Sequence, residues 1–273
     1  MIGDTERIKD RSKEDDDILA WLAPSGMGSR FGEMQTERLR KRVDETGNWF
    51  PELVEFTSWI EEPQSTLLCL GIPGAGKSIL SSVAIDHLQK LQATSKDSVG
   101  VGIVLFDFKS KDEPEDIVAC LLSQFVRQKG TPPDLQDLFR RYKSKPKGSQ
   151  PLIGELLGCL SSVVSSFQRS FIVTDALDEY EVGSRAVFLE TMFHLLQMTN
   201  LNLFATLRPI DEITALFEGS GLVLHRVDID AKDDDVRLFL SRRIAQKMPF
   251  LRNVSTKVKN ELISEISKAS TGM

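Results

Sequence analysis

The chain has 273 residues, 41% apolar and 27% charged, enough to build one large domain or two small ones and too apolar for a disordered polymer. Its 34 lysines and arginines face 40 acidic residues, and the resulting charge of −6 offers no general electrostatic grip on nucleic acid or on an anionic membrane. No apolar run is long enough for a membrane span, the N-terminus lacks a signal peptide's apolar core, and Cys69, Cys120 and Cys159 are too scattered for a disulfide framework or a zinc site, so the expected compartment is cytoplasmic.

Residues 1–17 hold eleven charged side chains and read as a solvated, flexible tail. Residues 18–64 read as an N-terminal helical segment. It contains ILAWLA up to Pro24, a Gly/Ser-rich stretch, a basic run through Arg42, and DETGNWFPELVEFTSWI. In the last of these, Trp49, Leu53, Phe56 and Ile60 recur at helical spacing. That face packs a core on one reading; on the other, the Thr46-Gly47 turn before it helps wall a ligand pocket.

From Ser65 onward short apolar runs alternate with longer helical patterns. STLLCLG (65–71), VGVGIVLFDF (99–108), SFIVTDA (170–176), LNLFATL (201–207) and LVLHRVDI (222–229) predict five buried strands. Helices are expected at 77–93, 114–129, 152–167 and 184–198. Such alternation predicts an α/β fold, a mainly parallel five-stranded sheet flanked by helices, over 65–229. Residues 130–151, rich in Pro, Gly and Lys, read as an exposed loop. Beyond Asp230, Val236, Leu240, Ile244 and Met248 recur every four residues and predict one amphipathic helix, with a second over 255–269. Asp233, Asp234 and Asp235 fit the start of the first, where the helix dipole favours negative charge. Residues 230–273 thus read as the start of a helical lid.

GIPGAGKS at Gly71–Ser78 matches the phosphate-loop pattern G-x-x-x-x-G-K-[ST], between an apolar strand and an amphipathic helix. Gly71, Gly74 and Gly76 let the backbone curl around a phosphate, and Ile72, Pro73 and Ala75 complete the curl. The helix that starts beyond it, through Ile79, aims unpaired N–H groups at the same point. Lys77 is suited to neutralise β- and γ-phosphate oxygens, and the Ser78 hydroxyl to ligate Mg2+.

FIVTDALDEY (171–180) is an apolar strand that ends in carboxylates. Asp175 is expected beside the phosphate loop, holding Mg2+ through a water opposite Ser78. Asp178 or Glu179 would align an attacking water. ATLRPI (205–210) places Thr206 and Arg208 at the end of the next strand, where Arg208 would sense the γ-phosphate or else pair with a local acid such as Asp211.

Together these residues resemble the NACHT class of P-loop NTPases in the STAND (signal-transduction ATPase) group. The likeness is to the fungal branch of nephrocystin-3-like N-terminal domains in ankyrin- or WD-repeat receptors. LLCLGIPGAGKSIL is similar to that branch's phosphate loop, and IVTDALDEY to its D-[GAS]-x-D-E motif. FATLRP is similar to its arginine sensor, with Leu207 at a common Ser position, and KRVDETGNWF to its R-x-x-G-T-G-x-W segment, with Glu45 at a common Gly position. The resemblance implies that Thr46 and Gly47 lie near the adenine. It also implies a winged helix and repeats after the lid, so a chain that stops at Gly272-Met273 reads as a fragment, a truncated product or a stand-alone module.

The expected function is Mg2+-dependent binding and slow hydrolysis of a nucleoside triphosphate. ATP is favoured over GTP because no N-K-x-D guanine-reading motif is present. Self-association through the core is an expected partner mode. A nucleotide-gated scaffold without hydrolysis is the alternative, and a small-molecule kinase a remoter one.

Overall fold

A computed structural model describes residues 13–23, 26–95, 98–109, 111–146 and 149–247, with residues 258, 261 and 263–266. Of the expected helix over 255–269, residues 258, 261 and 263–266 are described and are helical, and most of the expected tail falls outside the described residues. Helix α1 spans 13–22, so the last part of the expected tail is already helical. Buried Ile18 and Leu22 hold it to the core, and Glu14 pairs with Arg140 at 2.9 Å. Helix α2 (Met27–Lys41) follows.

The Trp49–Ile60 face divides because Pro51 sits in a short 3-10 turn at Phe50–Glu52, after which helix α3 (Val54–Glu61) begins. The rotation buries Phe50, Phe56 and Trp59 and leaves Trp49, Leu53 and Ile60 half-buried or at the margin. Trp59 packs its ring against Phe171 (5.3 Å between centroids) and Phe204 (5.8 Å), fastening this segment to the sheet.

The sheet consists of β1 (Ser65–Leu70), β2 (Val99–Leu105), β3 (Arg169–Asp175), β4 (Leu201–Leu207) and β5 (Val223–Asp228). Their order is β2-β3-β4-β1-β5 and every pairing is parallel. Every residue of β1 and β4 is buried. Because successive side chains point to opposite faces, both faces of the sheet must be covered. Helix α4 (Lys77–Thr94) joins β1 to β2, and α5 (Pro114–Lys129), α6 (Pro133–Lys143) and α7 (Ile153–Ser165) join β2 to β3. Helices α8 (Val182–Met198) and α9 (Asp211–Glu218) flank β4 in sequence, and α10 (Asp233–Lys247) follows β5.

Two expectations change. The 130–151 loop contains α6, whose Leu135, Leu138, Phe139 and Tyr142 are buried at helical spacing. Pro133 opens that helix, where the missing N–H costs nothing, so the proline marks a helix start. Among the described residues strand β5 is an edge strand paired only to β1; Val227 is buried while Val223 is 48% exposed.

The topology brings the carboxyl ends of β1, β4 and β3 side by side. Leu70 pairs with Leu207, and Thr174 with Ala205. Parallel sheets bind ligands outside this edge, because the strands release their loops and the following helices begin there.

Candidate functional site

Leaving β1, the chain curls at residues 71–76 and enters α4 at Lys77. Gly74 (φ +86°) and Gly76 (φ +96°) take left-handed backbone that a side chain would strain. Gly71 is required by closeness: a Cβ there would lie 2.7 Å from the Ile229 carbonyl oxygen. The Lys77 ammonium folds back onto the loop, donating to the carbonyls of Gly71 (2.5 Å) and Ile72 (3.0 Å). Burial draws its pKa below the ordinary lysine value, opposed by the carboxylates of Asp178 and Asp175.

Asp175, at the end of β3, is fully buried. Its Oδ1 accepts the Thr206 hydroxyl at 2.6 Å, and its Oδ2 accepts the Ser78 hydroxyl at 2.8 Å. Thr206 in turn accepts the Ala176 N–H at 2.9 Å. One buried threonine therefore fixes both the carboxylate and the turn that follows it. Ala176 sits at φ +56°, a left-handed conformation uncommon for a residue with a Cβ, and it starts the 3-10 turn Leu177–Glu179.

That turn separates the two acids that the sequence left equivalent. Asp178 accepts the Arg208 backbone N–H at 3.1 Å and its Nε at 2.5 Å, and its side chain is 3% exposed. It acts as the anchor of Arg208, the local-acid pairing expected of Asp211. Glu179 is an exposed residue at the cleft, where its carboxylate accepts the Phe108 N–H at 3.3 Å. Partial desolvation, with Asp178, Asp107 and Asp175 nearby, raises its pKa above the ordinary carboxylate value, and the Phe108 amide opposes the rise. The shift favours its protonated form, so Glu179 takes up a proton more readily than an ordinary carboxylate.

A cleft of about 710 Å³ gathers most of these groups. Pro73, Gly74, Gly76, Lys77, Ser78, Ile79, Asp178, Glu179 and Arg208 line it, together with Phe108 and Ala176. Gly71, Ile72 and Ala75 shape the loop without lining the cleft, and Asp175 lies buried behind Ser78. Thr46 and Gly47 are not brought to its wall. Thr46 is buried, donating its hydroxyl to the Val43 carbonyl, and Gly47 lies against Leu80 and Val83 of α4.

Among the described residues no cluster of three His, Cys, Asp or Glu is placed to hold a metal, and no helix is long and apolar enough to cross a membrane. A buried carboxylate bonded to the hydroxyl at the root of a phosphate loop does fit Mg2+, which takes one or two protein oxygens and fills its octahedron with water and phosphate.

The site contacts of three residues escaped the sequence reading. Phe108 follows β2 at the functional edge, a position that the strand pattern could have flagged. Arg38 of α2 pairs with Asp175 at 2.8 Å but is one cation among several in a basic run. Asp235 accepts the Gly47 N–H (3.1 Å) and the Trp49 indole N–H (2.9 Å), tying α10 to the 44–49 turn. Lys232 over the Trp49 ring (3.5 Å) and an Arg242–Asp44 pair (2.9 Å) reinforce that tie. Its partners are so distant in sequence that no local pattern records it.

Three solved structures of similar fold share little sequence with the chain. A Drosophila ORC bound to DNA is 11% identical at TM-score 0.50, over 88% of this chain and 56% of that one. The Walker-type ATPase of Pyrococcus abyssi is 16% identical at TM-score 0.47, over 83% and 64%. The Aeropyrum pernix ORC1 protein in complex with DNA is 15% identical at TM-score 0.45, over 67% and 44%. The chain spans about half the length of the solved structures it matches. At 11% identity the likeness to the Drosophila ORC, whose TM-score alone of these three reaches 0.50, speaks to the fold and nothing further, and no curated protein matches. The family model for the N-terminal region of nephrocystin 3 matches residues 45–208, a stretch that runs from the Trp49 turn through the phosphate loop and the acidic strand end to Arg208. On that match over more than half of its length, the chain belongs to the nephrocystin 3 N-terminal family.

Proposed function

We propose that the chain binds a nucleoside triphosphate with Mg2+ and hydrolyses it slowly, as a NACHT-class switch of the STAND group and its fungal branch. The convergence of Lys77, the Ser78–Asp175 bond, Glu179 and Arg208 on one cleft carries this reading. Lys77 leaves the loop carbonyls to take phosphate oxygens, while the first turn of α4 supplies N–H groups to the same anion. Ser78 and Asp175 would hold the divalent ion, which would neutralise charge on the phosphates. Glu179 receives a proton from the attacking water, and Arg208, oriented by Asp178, offers its guanidinium to the charge that develops.

ATP is the preferred substrate, on the absence of a guanine-reading motif from the sequence. Residues 65–229 form the core, 18–64 contribute to the nucleotide side, and α10 begins a lid. Two of the similar structures contain DNA; the net charge of −6 gives this chain no general electrostatic basis for the same role. Lys77→Ala should lose nucleotide affinity, and Glu179→Gln should keep it while losing phosphate release. Purified variants that match the native chain in both properties would overturn the proposal.

The engagement of both acids, Asp178 by Arg208 and Glu179 by the Phe108 amide, favours a second reading in which the chain binds nucleotide without turnover and uses it to gate self-association. Light scattering with ATP against ADP, beside a phosphate-release assay, separates the two.

A further inference from the structure

The acid assigned to the divalent ion already has a cationic partner. Asp175 Oδ2 accepts the Ser78 hydroxyl at 2.8 Å and forms an ion pair with Arg38 Nη2, also at 2.8 Å. Arg38 extends from α2, outside the stretch matched by the family model, and its side chain is 16% exposed. Among the described residues its other terminal nitrogen, Nη1, is buried without a hydrogen-bond partner. Helix α2 is fixed on α4 nearby, where Gln35 Nε2 donates to the Ser82 carbonyl at 3.1 Å.

A guanidinium on a buried carboxylate normally reads as structural, because an unpaired buried charge is costly. Two features argue for more. The oxygen that Arg38 takes is the one that also takes the Ser78 hydroxyl, so its positive charge lies beside the group that would ligate the cation. Nη1 makes no hydrogen bond to the described residues, so the ion pair with Oδ2 is the contact that sets where the guanidinium sits.

We propose that Arg38 is a positioning residue that stands in for the divalent cation, holding Asp175 in the metal-free site and surrendering it when a cation arrives with the nucleotide. Two cations sharing one carboxylate at this distance repel each other, so metal entry and the Arg38–Asp175 pair exclude one another. Helix α2 is thereby coupled to whether the site holds metal. This inference rests on the nucleotide reading above.

The test is Mn2+ uptake in the presence of saturating ADP, followed by the paramagnetic resonance of free Mn2+, for the native chain, Arg38→Met and Arg38→Lys. Removing a competing unit charge should tighten Mn2+ binding by roughly tenfold in Arg38→Met, whereas Arg38→Lys stays near the native value. A merely structural arginine would give the opposite sign, because a loosened Asp175 binds metal less well. A native chain that takes up no Mn2+ with ADP overturns the nucleotide reading. Native uptake with Arg38→Met unchanged or weaker overturns the role of Arg38 alone. Should Arg38→Met not fold, hydrogen exchange on the native chain decides: amides 36–41 should exchange faster with Mn2+ and ADP than with ADP and a chelator, and unchanged or slower exchange refutes the displacement.

Discussion

Thr206→Val isolates the bond network that holds the acid. Valine has nearly the shape of threonine, so no cavity opens, but the hydroxyl that donates to Asp175 Oδ1 at 2.6 Å and accepts from Ala176 N–H at 2.9 Å disappears. Thr206 and Asp175 are both fully buried, so water cannot replace either bond. One charged acceptor and one backbone donor are left short of a partner, at about 1–3 kcal/mol each and more for the charged group, or about 3–5 kcal/mol in all. Domains have only about 5–15 kcal/mol to lose. For a chain of this size the melting temperature should fall by about 8–15 °C. Thr206→Ser keeps both bonds, gives up one methyl, and should lose no more than about a third of that. Scanning calorimetry on the three proteins reads the difference. If Thr206→Val melts within about 2 °C of the native chain, or no lower than Thr206→Ser, the threonine does not fix the acid.

Gly71→Ala forces a Cβ to 2.7 Å from the Ile229 carbonyl oxygen and should cost about 1–3 kcal/mol in urea denaturation, because the obstacle is backbone. Asp235→Ala strips the Gly47 N–H and the Trp49 indole of their acceptor; about 1–2 kcal/mol of stability and a red shift in tryptophan emission should follow. Since Glu179 can accept a proton only when ionised and its pKa is raised, the proposed hydrolysis should climb with pH along a limb shifted upward from the ordinary glutamate value, and Glu179→Gln should abolish that limb.

The sheet was legible because a parallel strand covered on both faces leaves an uninterrupted apolar run, as in STLLCL and LNLFATL. The phosphate loop was legible because its chemistry demands glycines and a lysine at fixed spacing. Strand order was not, since β1 lies between β4 and β5 and no local pattern records a neighbour so far away. Helix α6 was obscured by its proline, which ends helices more visibly than it starts them. Arg38, Asp178 and Asp235 show the same limit at the site. Their residue types were visible, but an arginine in a basic helix or an acid in an acidic turn declares no partner until the fold supplies one.

Calorimetric titration of the purified chain with ATP and with ADP, in Mg2+ and again in a chelator, tests the central claim most directly. The arrangement around Lys77, Ser78 and Asp175 predicts one nucleotide per chain, held more tightly with Mg2+ and lost in Lys77→Ala. Folded protein that gives no binding heat at millimolar nucleotide, with or without the metal, would contradict it.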